Sequence, residues 1–349
     1  MALVAKPQYQ GGHNVAAATD VARLDEAALA AFGCDVSFIS DDSTPAEDLV
    51  ARAAEAAPSH DLKHLLWEIF ERCRADYRAG SPIQHTAAVA TRIRQAYATL
   101  GVQPTPQQHA ELLGFFVEVN RVLFQHETLG WLTHDANFKL HLYGRGWEKH
   151  PTLARHARGP VGNDRVRQAI YRASKINLSA SPFGAVTPHL LEGIGAGGFF
   201  LMRFCAADLI ERFFPPLIDF CARERIHTNA ALSDQATPGV RELLAFASRT
   251  LGVDVLREWP DFVPHLLSLR AQPRDGRSAA VLWPEHYPQV CFSSRDELLA
   301  LAAKFLYDQP QRRALADAMR RQLANPAEPR VSVQVTRTVS IRRRSDVAA

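Results

Sequence analysis

A carboxylate closely followed by glycines is the pattern in this chain best suited to hold a sugar diol: Glu192 precedes Gly193, Gly195, Gly197 and Gly198. An ionised carboxylate accepts two hydrogen bonds from neighbouring hydroxyls, as acidic residues do for ribose in dinucleotide folds. The glycines behind it let backbone approach a ligand or a neighbouring strand closely. The competing reading makes Glu192 a first-turn helix carboxylate favoured by the helix dipole, and the glycines packing devices. A second pattern is Gly144-Arg145-Gly146. In a turn after a strand, Arg145 would grip phosphate oxygens as a charge-assisted fork, or lie on the surface without a ligand. Trp147 beside it reads as a packing residue. Lys175 closes a segment that holds Arg165, Arg167 and Arg172, and cations at a helix end are ordinary caps.

These residues need elements to position them. Lys139–Tyr143, Ile176–Ala180 and Phe199–Phe204 are apolar, strand-like runs alternating with segments of helical period. Cys34–Ser40 (CDVSFIS) predicts a buried strand ahead of them, and Val290–Phe292 a short last one. Pro45, tolerated at a first helical position, predicts a helix after Cys34–Ser40. Leu62, Leu65, Leu66, Ile69, Cys73 and Tyr77 share one helical face, as do His109, Leu112, Leu113, Phe116 and Leu123. Together they predict a helical insertion over about 58–128, built for packing. Gly239–Leu251 and Arg312–Leu323 predict helices, Arg257–Pro288 an irregular connection, and Ser294 with Glu297 a capping box. This order suggests half of a nucleotide-binding α/β domain, in which ligands sit at the carboxyl ends of parallel strands.

Other chemistries find little support. The net charge of +3 in 349 residues does not argue for nucleic acid, and no apolar run reaches the roughly 18 residues of a membrane helix. MALVAKPQYQ has no secretory core. The five cysteines are scattered and never spaced CxxC, which predicts buried thiols in a reducing, cytoplasmic setting and no zinc site. There is no phosphate-loop motif, no G-x-G-x-x-G after a strand, no G-x-S-x-G and no H-E-x-x-H, so a nicotinamide-dependent oxidoreductase is disfavoured. His134-Asp135 reads as a surface loop before a base with its orienting carboxylate. The basic tail from Asn325 reads as a solvated, disordered terminus or an edge strand, with at most peripheral contact to acidic lipid.

Tyr143, Gly144, Gly146, Trp147, Gly159, Val161, Tyr171, Lys175, Glu192, Gly197, Gly198 and Phe199 stand in the order YG-x-G-W, G-x-V, Tyr-Arg-x-x-Lys, Glu-x-x-x-x-Gly-Gly-Phe. That order resembles the donor-binding domain of group 1 GT-B glycosyltransferases, in particular the spore-maturation-type branch, over roughly Cys34 to Leu323. The resemblance implies an α/β, Rossmann-like donor domain over 34–324 with a parallel sheet. It implies sugar transfer from a nucleotide-sugar donor to a glycan, protein or other acceptor, with no cofactor or metal. By the same resemblance Glu192 would hold the ribose, Gly144, Arg145, Lys175, His189, Gly197 and Gly198 would line the donor site, and no catalytic residue is identified. His189 stands where the family often has an arginine, and is a pH-dependent cation. Gly184 stands where the wider superfamily has a first glutamate, eight positions before Glu192. About 33 residues precede Cys34, against a whole acceptor domain in the family. A truncated N-terminal region is therefore expected, and with it an alternative function as a catalytically incomplete nucleotide-sugar-binding or protein-interaction module.

Overall fold

The computed structural model describes residues 26–133, 138–210, 214–234, 237–251, 262–270 and 279–325. The basic tail and the His134-Asp135 pair lie outside them. The described residues fall into two compact units, one spanning 26–209 and 279–325, the other 210–270.

The larger unit begins with α1 (Glu26–Phe32) and β1 (Cys34–Asp42). Next come α2 (Ala46–Glu55), α3 (His60–Arg78), α4 (Thr86–Leu100) and α5 (Pro106–Thr133). β2 (Leu140–Arg145), α6 (Asp164–Ala173), β3 (Ser174–Ser179), α7 (Pro188–Gly195), β4 (Phe200–Arg203) and α8 (Ala206–Ile210) follow. The five strands, with β5 (Cys291–Phe292) last, form one parallel sheet in the order β2-β1-β3-β4-β5. Val36 pairs with Leu140 on one side and Ile176 on the other, so the run CDVSFIS is an interior strand. Its continuous apolar character follows from burial on both faces. Right-handed crossovers put the β1-to-β2 connection on one face and α6 and α7 on the other. The fold is therefore α/β and Rossmann-like, as the sequence order indicates.

The helical insertion expected over about 58–128 falls on α3 to α5, which with α2 close a core of their own around Val50, Leu66, Phe70, Val89, Ile93 and Phe116. α5 is long enough to serve two cores. Its first half joins that cluster, while Phe124, Leu129 and Leu132 pack on the sheet. Arg203 at the end of β4 fixes α5 there. Its guanidinium donates to the Phe124 carbonyl at 2.9 Å and Thr128 Oγ1 at 2.8 Å, and pairs with Glu127 at 2.5 Å. The same group lies over the Phe124 and Trp131 rings, 3.8 Å and 4.3 Å from their centroids.

The smaller unit holds α9 (Phe214–Arg223), α10 (Asn229–Ser233), α11 (Pro238–Leu251) and α12 (Phe262–Arg270), closed around Leu217, Phe220, Leu244, Phe262 and Leu266. In the larger unit the chain continues with α13 (Ala279–Leu282), α14 (Tyr287–Val290), β5, α15 (Arg295–Tyr307) and α16 (Gln309–Ala324). The segment Arg257–Pro288, expected to be irregular, is largely helical where described. Pro264 and Pro288 fall in first turns, where a missing N–H breaks no bond. The Ser294 cap is half a capping box. Its Oγ accepts from Glu297 N–H at 3.3 Å, but the Glu297 carboxylate reaches the N–H of Ser293, at 2.7 Å, instead of that of Ser294. Among the described residues no helix is long and apolar enough to cross a membrane.

Candidate functional site

In this strand order the chain leaves β1 toward β2 and leaves β3 toward β4, in opposite directions. Loops at the carboxyl ends of β1 and β3 therefore diverge and open a crevice, the switch point where α/β folds bind ligands. Asp41 and Asp42 stand at the end of β1. Asp42 Oδ1 is used locally, accepting from the Thr44 N–H and hydroxyl, both at 2.8 Å. Asp41 is open toward the crevice and faces His189 Nε2 at 3.7 Å, an ion-pair distance too long for a hydrogen bond. That imidazole is the main reason the Asp41 carboxyl sits below its ordinary range.

His189 and Glu192 come from α7, which enters from the β3 loop. Thr187 caps this helix, its hydroxyl accepting from the Leu190 N–H at 3.2 Å, and Pro188 takes the first position. Three residues apart, His189 and Glu192 share a helical face. Glu192 lies in the body of α7, so it is neither in the turn before the glycines nor in the first helical turn. Its Oε2 accepts from Arg167 Nη1 at 2.8 Å, and Arg167 also meets Asp164 at 3.4 Å. Burial opposes the Arg167 charge, but the Glu192 bond and charge outweigh it and raise the pKa. The other Glu192 oxygen, Oε1, and His189 Nδ1 are both buried with no hydrogen-bond partner.

From the opposite face of the sheet α5 brings Arg121 and Gln125 to the same strand ends. Arg121 Nη2 donates to the Asp42 carbonyl at 2.9 Å and Nη1 to Gln125 Oε1 at 2.7 Å, while Gln125 Nε2 reaches the Ala180 carbonyl at 3.4 Å. The β3 loop is held from behind. The Asp208 carboxylate accepts from the Ala185 N–H at 3.1 Å and from the Tyr287 hydroxyl at 3.2 Å.

Gly144 and Arg145 belong to β2 itself, not to a turn after it. Gly144 has φ 128°, and a Cβ there would lie 2.0 Å from the Ser40 carbonyl oxygen; one on Gly146, at φ 90°, would lie 2.3 Å from Thr44 N. Both glycines let β2 close on β1 and its loop. The Arg145 carbonyl accepts from the Ser43 N–H at 2.8 Å, and its side chain is exposed at the sheet edge. Trp147 is fully buried, its indole N–H donating to the Tyr143 carbonyl at 3.1 Å. His126 lies against it with His150 at its edge, and burial first, then His150, drives the His126 pKa down to about 3.

Lys175, Gly197 and Gly198 lie at the other end of the sheet. Lys175 is the second residue of β3, and its ammonium pairs with Asp35 at the start of β1 at 2.8 Å. It is therefore no helix cap. Gly197 and Gly198 end α7: the Gly197 N–H bonds to the Ile194 carbonyl and the Gly198 N–H to the Gly193 carbonyl, both at 2.9 Å. This is a Schellman ending, with Gly197 at φ 90° in the left-handed position. The structure thus gathers His189 and Glu192 at the crevice and leaves Arg145 on its β2 side. It adds Asp41, Arg121, Gln125 and Arg167, which sequence reasoning did not assign. Among the described residues no group of three or more His, Cys, Asp or Glu is gathered that could hold a metal ion.

Residues 124–249, from the middle of α5 through α11, match a family described as glycosyl transferase-like. That stretch carries Arg167, His189 and Glu192. A search of curated proteins and one of solved structures return no match.

Proposed function

We propose that this chain transfers a glycosyl group from a nucleotide-sugar donor to an acceptor, with the donor in the crevice between the β1 and β3 loops. The premise is the glycosyl transferase-like stretch. The observation that carries the assignment is Glu192, with one oxygen held by Arg167 and the other buried and unpartnered. A buried acceptor without a partner costs roughly 1–3 kcal/mol. Two ribose hydroxyls would remove that cost, and the fixed Arg167 contact sets the carboxylate plane that receives them.

Charge control is the remaining task. When the glycosyl bond breaks, the leaving nucleoside diphosphate gains negative charge, which prearranged donors stabilise best. Arg167 and Arg121 supply guanidinium N–H groups at the two sides of the crevice. His189 adds a cation when protonated, and the capped start of α7 adds helix-end N–H groups. These groups provide positive charge without a resident metal. Arg145, at the β2 edge, is the group here for the outer, sugar-bearing side.

The test is calorimetry of the full chain against UDP, GDP, ADP, dTDP and CMP, alone and as sugar conjugates. One nucleotide class is expected to bind selectively, with binding weakened about tenfold or more in Glu192→Ala. Lys175→Ala should leave it unchanged. Wild-type affinity in folded Glu192→Ala sinks the assignment.

A further inference from the structure

At the amino ends of the strands, away from the donor crevice, lies a cleft of about 790 Å³. That is the size of a small-molecule site. Its walls come from the start of β1, the residue before β2, the α6-to-β3 junction, and the α15-to-α16 corner. Among the described residues five cations line it, Lys139, Arg172, Lys175, Arg312 and Arg313, against one lining carboxylate, Asp35.

Local contacts use only part of this charge. Lys175 meets Asp35 at 2.8 Å, and the Lys139 ammonium donates to the Gly33 carbonyl at 2.7 Å. Arg172 Nε donates to the Ala196 carbonyl at 2.9 Å, and Arg312 donates to the Phe305 carbonyl. Arg313 reaches Gln309, whose amide oxygen turns toward it at 2.6 Å. Each ammonium has three donors and each guanidinium five, so Lys139, Lys175, Arg312 and Arg313 keep N–H groups for a ligand. Burial and the adjacent Arg313 charge both push the Arg312 pKa down, although Asp308 opposes them. An anion between the two guanidiniums would relieve that repulsion. Tyr307 stands at the mouth, 90% exposed, the most exposed large hydrophobic side chain among the described residues.

We propose that this cleft is a second ligand site, built for a phosphate-bearing anion and separate from the donor crevice. Arg312 and Arg313 grip the phosphate from one wall, Lys139 and Lys175 from the other, and the Tyr307 ring covers whatever the phosphate carries. The chain's own end is a poor occupant: residues 326–349 carry Arg330, Arg337, Arg342, Arg343 and Arg344. The ligand is a soluble phosphate compound or a phospholipid headgroup, and the test has an arm for each.

Inorganic pyrophosphate is titrated into the full chain by calorimetry, and the chain is co-sedimented with phosphatidylglycerol or phosphatidylcholine vesicles. Both are repeated with Lys175→Gln/Arg313→Gln, two exposed positions, with folding of the double variant checked by circular dichroism and melting. The expected result is that the double variant loses at least about tenfold in affinity for pyrophosphate, for phosphatidylglycerol vesicles, or for both. Glu192→Ala should retain wild-type pyrophosphate affinity, so failure of the donor assignment leaves this result standing. Loss with pyrophosphate alone assigns a soluble ligand, and loss with vesicles assigns the headgroup. The proposal is overturned if the wild-type chain binds neither, or if the double variant binds both as the wild type does.

Discussion

Replacing Arg203 with Met should destabilise the larger unit by about 3 kcal/mol, the low end of the roughly 3–5 kcal/mol for breaking a buried ion pair. Arg203 is only 3% exposed in its side chain, whereas Glu127 is 24% exposed and can recover some water, which favours the low end. Met keeps the apolar stem but loses the donations to the Phe124 carbonyl and Thr128 hydroxyl and the stacking on two rings. For a unit of this size such a loss lowers the melting temperature by roughly 6–12 °C. Differential scanning calorimetry reads it directly. Adding Glu127→Met should restore part of the loss, because an apolar pair needs no compensation for a buried charge. A shift below roughly 2 °C in Arg203→Met would refute the view that this residue fastens α5 to the sheet. The same variant should weaken donor binding, since Arg121 and Gln125 reach the crevice from that helix.

Gly144→Ala should cost more than about 3 kcal/mol, because its Cβ would enter the Ser40 carbonyl at a φ that L residues avoid; urea denaturation measures it, and a near-neutral result would contradict the β1–β2 approach. Thr187→Ala should cost about 1 kcal/mol through loss of the α7 cap, read by the same denaturation. Stability should also fall with pH in a defined window. The folded pKa values of His126, about 3, and His141, about 4, lie below their ordinary 6.5. The unfolded chain therefore binds more protons between those values and 6.5, so stability is full above pH 6.5 and declines as pH drops toward 4. Melting curves from pH 7.5 to 4 should show the decline, and His126→Phe should flatten it; an unchanged slope would remove His126 as a cause.

All five strands were legible because a parallel sheet buried on both faces demands apolar runs, and CDVSFIS or FFLMRF has no other ready use. The insertion was legible from its helical period. What sequence reasoning misplaced was polarity. Lys175, Gly197 and Gly198 were grouped with Glu192 by the family resemblance, yet residues that enter a parallel strand lie a full strand length from residues that leave one. That rule needs only the strand assignment, and it would have separated them. It would also have pointed to Asp41, at the exit of β1. Arg121 and Gln125 were beyond reach, because nothing local tells which turn of a 28-residue helix meets which strand end.

β1, paired on both sides, is also the first of the described strands to be made. Asp35 bonds to the Lys139 N–H across 104 positions, and Ser37 to Asn177 across 140. During synthesis both edges of β1 therefore stay unpaired while more than a hundred residues emerge. Unpaired apolar strand edges are what draws chains into aggregates. The insertion has a core independent of the sheet, so α2 to α5 can fold in that interval and cover one face of the waiting strand. Sheet closure then becomes a late, long-range event and the natural slow step of folding. Conditions that delay the appearance of β2 and β3, or a chain cut ahead of Lys139, should yield a folded helical bundle bearing an aggregation-prone strand.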